Sequence, residues 1–146
     1  LMTTNNVYFL ASDRSAAQLV LADRSQAESA IAVRAIRRLF PDHEVRPVAD
    51  LAEAEHVLTC ARLATAVVAS GLDGKTCLQT ISWFAYQKRG IVVAMLEDCG
   101  DRHRQEALEA GASYVCSKPE LLVAQLRYDL AARLKGAAQE FAWMTG

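Results

Sequence analysis

The chain is poor in the residues that build metal centres and covalent frameworks. Its 146 residues include four cysteines and three histidines. Cys60, Cys77, Cys99 and Cys116 form no C-x-x-C pair, and His43, His56 and His103 do not cluster with them. That spacing speaks against a zinc site or a disulfide framework, and for reduced, mostly buried thiols in a cytoplasmic protein. No apolar run is long enough to cross a bilayer, and the first residues lack the charged-then-apolar order of a secretory signal. Charge of one sign is missing too. Lys and Arg are interspersed with Asp and Glu for a net charge of -1, so neither a general nucleic-acid surface nor polybasic membrane attachment is expected. There is no Gly-rich phosphate cradle, nucleophile elbow or paired-carboxylate site, and no cofactor is expected.

What is present is the composition of one globular domain, 52% apolar and 23% charged, long enough to bury a sizeable core. Residues 1–17 are the least readable part, an N-terminal extension in which Val7–Leu10 could make a short strand. Gln18–Ala22 is an unalternating apolar run, the pattern of a strand buried on both faces. Ser25 and Glu28 form a capping box, and Ile31, Ala35, Ile36, Leu39 and Phe40 then share a helical face up to Pro41. Glu44–Val48 is a weaker strand, which Pro47 assigns to a sheet edge. Asp50 and Glu53 cap a helix that buries Leu51, Ala54, Val57 and Leu58. Thr65–Ala69 is the third strand, followed by a turn-rich loop to Lys75. Thr76–Lys88 reads as a helix bearing Leu78, Ile81, Trp83, Phe84 and Tyr86, closed by Arg89-Gly90. Ile91–Leu96 is the most hydrophobic strand. Asp101 opens a helix that Gly111 terminates, and Tyr114–Cys116 is the fifth strand. A long helix follows from about Glu120.

Five alternations of strand and helix imply a three-layer α/β/α domain with a parallel sheet and right-handed crossovers. The flavodoxin-like (βα)5 order 2-1-3-4-5 puts the weak Pro47 strand at an edge. In such a sheet ligands bind beyond the carboxyl ends of the strands, which is where Lys118-Pro119 aims a positive charge.

Three segments carry a family resemblance over residues 18–134. They are LVLADRSQAE, a first strand ending in an acid; VVASGLDG, a third strand and a loop closing in Asp-Gly; and EALEAGASYVCSKPE, with the lysine seven residues after the glycine. Together they resemble the CheY-like receiver domain of two-component response regulators. The resemblance implies a domain that takes a phosphoryl group on an aspartate at the end of the third strand. It also implies two first-loop acids holding Mg²⁺, a switch hydroxyl after the fourth strand, and the Lys-Pro lysine.

Carried over residue by residue, most of that chemistry is missing. The acid pair is Ala22-Asp23. The phosphoacceptor place falls on Ser70, or Ala69 one register away. The switch hydroxyl place falls on Leu96. The loop to Asp73-Gly74 is about four residues short, and the aromatic of the fifth strand is displaced, with Tyr114 one place early and Val115 in its position. Ala22, Asp23, Ser70, Leu96 and Lys118 therefore read as a degenerate phosphorylation pocket, that of a pseudo-receiver not phosphorylated on aspartate.

For Lys118 the choice lies between a relic phosphate sensor and an ion pair with Asp23, which the residues favour. Asp23 alone is a weak metal candidate. Asp73 reads as a turn former rather than a displaced phosphoacceptor, and His103 as part of a solvated helix start. Leu122, Val123, Leu126, Leu130, Leu134, Ala137 and Phe141 recur at steps of three, four and seven, an apolar face that outruns the domain. Residues 135–146 then form a helix extension or a linker to an output domain, with a back-folded tail as the alternative. The expected interaction face is Tyr114, Val115, Leu126, Leu130, Leu134 and Phe141, serving a homodimer or a partner signalling protein. The different reading is a regulatory pocket for a small anion or nucleotide around Lys118, Asp23 and Ser70-Gly71.

Overall fold

The computed structural model describes residues 17–24, 26–39, 41, 43–60, 64–118, 132–133, 136–137, 139–141 and 143–144. The expected strand at Val7–Leu10, the Ser25 cap, and Leu126, Leu130 and Leu134 lie outside them.

Among the described residues up to Ser117, five strands and four helices alternate in the order β1 (Ala17–Ala22), α1 (Gln26–Leu39), β2 (His43–Val48), α2 (Leu51–Cys60), β3 (Ala64–Val68), α3 (Cys77–Gln87), β4 (Val92–Leu96), α4 (Asp101–Ala110) and β5 (Tyr114–Ser117). All pairings are parallel and the sheet order is β2-β1-β3-β4-β5, the flavodoxin-like arrangement expected from the alternation. Ala22 pairs with both Val48 and Val68, and Val68 with Ala94. β2 is an edge strand, where the missing N–H of Pro47 does least harm.

The pleat divides the strands between two cores. Leu21, Val45, Val67, Val93, Met95 and Cys116 face α1, whose Ala32, Val33, Ala35 and Ile36 cover them. Val20, Ala22, Val68, Val92, Ala94 and Val115 face the other way, against α2, α3 and α4. Sandwiched between helices, β3 buries every side chain, which is why it reads as a short run without alternation.

Some local expectations change. Ile31 does not join the α1 stripe. The buried arc is centred on Ala32 and Ile36, and Ile31 lies just past its rim at 62% exposure. α3 is closed by Lys88 itself in the left-handed conformation (φ 55°), not by Gly90. Gly90 serves close approach instead, because a Cβ there would stand 2.0 Å from the Ala64 carbonyl oxygen. α4 starts at Gly100 without a side-chain cap, and Asp101 lies in its first turn. Of the three aromatics on α3, Phe84 is buried, Trp83 packs edge-on against it at 4.9 Å, and Tyr86 is 83% exposed.

The described C-terminal turns bear on the overlong helix. Ala137 and Phe141 pack against the α1-side core, so this part of the apolar face is covered by the domain itself. Trp143 and Met144 beyond them are exposed.

Candidate functional site

The carboxyl ends of β1, β3 and β4 converge where the resemblance places a phosphorylation pocket. β1 delivers Ala22 and then Asp23. The Asp23 amide donates to Val48 O at 3.2 Å, while the Ala69 and Ser70 amides both donate to Ala22 O, at 2.9 and 3.3 Å. This lacing fixes the β1 and β3 ends against each other and sets Ser70 beside Asp23. The Ser70 hydroxyl donates to Asp23 Oδ1 at 3.3 Å and accepts from the Arg24 amide at 2.9 Å. Asp23 is only 5% exposed. A buried carboxylate needs such partners, and Ser70 is one of them. At the place of a nucleophile stands a hydroxyl already committed on both sides.

The neighbouring positions are filled with apolar groups. Ala22 is fully buried in the α2–α4 core, and Leu96, half-buried, packs on that core with Cys77 and Cys99. Lys118 does not pair with Asp23 as expected. Its ammonium lies 3.4 Å from Glu97 Oε1, on the opposite side of β4 from β1 and Asp23. Glu97 directly follows β4 and Lys118 directly follows β5, so adjacent parallel strands deliver both to the same rim. Burial pushes the Cys77 thiol above its usual range, and the Lys118 ammonium pulls it partly back. The lysine therefore acts locally on the start of α3.

The loop from Ser70 to Thr76 is pinned rather than open. A Cβ on Gly71 would sit 1.9 Å from the Lys75 carbonyl oxygen, so only glycine fits that crossing. Leu72 is fully buried in the α2–α4 core. Its amide donates to Thr80 Oγ1 at 3.1 Å, and that hydroxyl donates in turn to Thr76 O at 2.9 Å. Asp73 adopts φ 54° in the turn, and its Oδ2 accepts from the Leu51 amide at 3.0 Å, capping α2. It is a turn former with a second structural duty. Thr76 and Gln79 complete a capping box for α3 that the T-x-x-Q spacing announces.

Val115 is removed from the expected interaction face. Strand alternation turns it into the α2–α4 core, and its neighbour Tyr114 is the half-buried one on the other face. The Arg133 guanidinium stands 5.4 Å from the Tyr114 ring centroid, a cation–π contact that ties the C-terminal turns to β5. His103 pairs with Asp98 at 3.5 Å on a half-exposed rim.

A magnesium ion does not fit the donor set. Mg²⁺ demands near-octahedral oxygen ligation and is usually held by one or two carboxylates together with substrate phosphate. Here one acid place is Ala22 in the core, the phosphoacceptor place is Ser70, and Asp23 already accepts from that serine. Among the described residues no three His, Cys, Asp or Glu side chains converge to hold a metal.

No protein-family model and no curated protein sequence matches the chain. Solved structures match its fold. A CheY-like response regulator receiver domain protein from Methanospirillum hungatei superposes with a TM-score of 0.67 at 17% identity, over 89% of this chain and 99% of that one. The receiver domain of a DNA-binding response regulator from Colwellia psychrerythraea gives 0.64 at 14% identity, over 81% and 98%. A pilus assembly-related protein from Burkholderia pseudomallei gives 0.63 at 15%, over 83% and 90%. The fold of this chain is that of CheY-like receiver domains.

Proposed function

We propose that this chain is a non-enzymatic signalling module on the receiver fold that works without phosphorylation of an aspartate. The observation that carries the reading is Ser70. At the phosphoacceptor place its hydroxyl donates to Asp23 and accepts from the Arg24 amide, so a hydrogen-bonded hydroxyl stands where a receiver carries the carboxylate that takes the phosphoryl group. The Leu96 side chain at the switch place has no hydrogen-bonding group for a phosphate, and Lys118 is engaged with Glu97. With the phosphate cycle dismantled, regulation passes to contacts with other chains: an output domain, a partner signalling protein or a second copy. The surface for this is the rim made by α4, β5 and the C-terminal turns, where Tyr114, Arg133 and the exposed Trp143 and Met144 stand. Such side chains, aromatic, guanidinium and thioether, are those enriched at interfaces.

The test is incubation with Mg²⁺ and acetyl phosphate, followed by intact mass and tryptophan fluorescence, with a beryllofluoride mimic alongside. No phosphoryl adduct and no spectral change are expected. Stoichiometric labelling would overturn the reading. For the contact surface, light scattering of the full chain against a Trp143→Ser, Met144→Ser variant is the measurement. A self-associating parent and a more monomeric variant are expected, and equal masses would remove the dimer.

A further inference from the structure

A trough of about 710 Å³ lies between α1 and the end of β2, an edge strand of the sheet. One wall is a single stripe of α1: Ala30, Val33, Arg34, Arg37 and Arg38, spaced three and four residues apart. At 1.5 Å per residue that stripe is about 12 Å long. The other wall is the end of β2, Pro47 and Val48, and Glu53 stands at one end of the trough.

The charges in this trough are not balanced. Glu53 is occupied as a cap, accepting from the Ala49 amide at 3.4 Å. Asp23, the other acid of the lining, is buried and bound by Ser70. Arg34, Arg37 and Arg38 are exposed, and among the described residues none of them makes an ion pair. The C-terminal pole of the helix dipole accounts for Arg37 and Arg38 in the last turn, but it does not reach Arg34. Three like charges within five residues repel one another until an anion arrives.

The shape selects the kind of anion. A small ligand holds its site by being largely enclosed, and this trough is open along its length. A segment of another macromolecule brings its own bulk to close it. Nucleic acid would want a broad basic surface, whereas this chain has a net charge of -1 and confines the cations to one wall. Carboxylates match the guanidinium fork, and the apolar floor at Val33 and Pro47 offers a seat for one hydrophobic side chain. Strand addition to β2 is blocked at Pro47, which has no N–H to give, so the contact is made by side chains.

We infer that the trough between α1 and β2 docks an acidic segment of a partner protein, with carboxylates on Arg34, Arg37 and Arg38 and an apolar anchor on Val33 and Pro47. β2 and β5 are opposite edges of the sheet, so this surface is separate from the β5 rim.

The probe is a synthetic peptide of about twelve residues, Glu-rich with Leu at every third or fourth place, long enough to follow the stripe. It is titrated into the full isotope-labelled chain and followed by amide shifts and fluorescence anisotropy. Expected are shifts confined to α1, to the end of β2 and to the first turn of α2, together with weaker binding at higher salt. The triple variant Arg34→Gln, Arg37→Gln, Arg38→Gln, checked for folding by circular dichroism, should lose at least about tenfold in affinity. The triple Lys variant should keep part of it, because it keeps the charge and loses only the fork. Equal binding by the triple Gln variant overturns the inference, as do shifts on the β5 side, no shifts at millimolar peptide, or equal binding of a Gln-for-Glu peptide. Tighter, trough-specific binding of pyrophosphate or of duplex DNA would assign the trough to a different ligand class and overturn it equally.

Discussion

If Ser70 stands at a phosphoacceptor place, as proposed, Ser70→Asp supplies a carboxylate there, and the structure says what that costs. The Ser70 hydroxyl lies 3.3 Å from Asp23 Oδ1, and Asp23 is 5% exposed. Two carboxylates about 4 Å apart repel by about 4 kcal/mol at an effective dielectric of 20. Partial exposure of position 70 lowers this, so a loss of roughly 2–4 kcal/mol at pH 7 is expected, or roughly 5–15 °C in Tm for a domain of this size. The sign with pH follows from the shared charge. One carboxyl of the pair is held protonated above its unfolded range near about 3.9. The penalty is therefore absent below about pH 4 and grows as pH rises through the pair's upper titration. Mg²⁺ should reverse it, because two adjacent carboxylates and water make the cation site that one carboxylate does not. Differential scanning calorimetry at pH 4 and pH 7, with and without millimolar Mg²⁺, reads all three effects. A variant that melts like the parent at pH 7, indifferent to Mg²⁺, would refute the placement of Ser70 against Asp23.

Three further outcomes bear on the pinned loop and on α3. Thr80→Val keeps the shape of a fully buried side chain but orphans the Leu72 amide, for a loss of about 1–3 kcal/mol in urea unfolding; a change within experimental error would show that the hydroxyl is not needed. Gly71→Ala drives a Cβ into the Lys75 carbonyl oxygen and belongs with the largest single-residue losses, about 4 kcal/mol or more, read as a lowered urea midpoint or lost folded yield. The raised Cys77 thiol stays neutral at pH 7, so its alkylation should lag behind that of a free thiol, and Lys118→Ala should slow it further by removing the charge that lowers its pKa. Because the folded form holds its proton more tightly, the Cys77 contribution to stability is intact at neutral pH and lost as pH rises past about 9. Cys77→Ala should flatten that alkaline decline, and an unchanged alkaline slope would count against the assignment.

The sheet was legible because its signal is redundant. β3 and β4 are buried on both faces, so they appear as short runs without polar alternation, and Pro47 marks the edge by what it lacks. The candidate site was read only through a resemblance, as Ala22, Ser70 and Leu96 at the places where a receiver carries its acid, its phosphoacceptor and its switch hydroxyl. Which groups then bond to one another depends on directions that sequence spacing does not carry. Lys118 and Asp23 sit at the same end of the sheet, but β4 lies between β5 and the rest, and Glu97 reaches the lysine first. Val115 and Tyr114 show the same limit at one-residue scale, since a shift of one place exchanges core for rim. Thr80 gives no signal in sequence, because a threonine inside a helix usually bonds only to its own backbone. The arginine stripe on α1 could be counted, but the trough that gives it meaning needs β2 and the start of α2 in place.

In the reading proposed above, the pinned loop accounts for how a receiver fold can be kept without phosphoryl chemistry. Here Gly71 lets the chain cross tightly over Lys75, Leu72 enters the core, Thr80 satisfies its amide, and Asp73 caps α2. Each contact ties the former switch region to a rigid element. A loop so anchored has little freedom to carry a phosphate signal from Ser70 to the β5 rim, and gating of that kind needs an element with two arrangements of similar free energy. The two surfaces proposed for contacts lie outside this pinned loop: the β5 rim with its C-terminal turns, and the arginine trough beside β2. If the lock is what separates this chain from a phosphorylated receiver, Ser70→Asp alone should restore Mg²⁺ binding without restoring a conformational response. Adding Thr80→Val should then loosen the loop enough for Mg²⁺ and beryllofluoride to change amide exchange at Leu72 and Asp73. Exchange unchanged by beryllofluoride in the double variant would place the barrier at Leu96 instead, where no side-chain hydroxyl is present to pull on the loop.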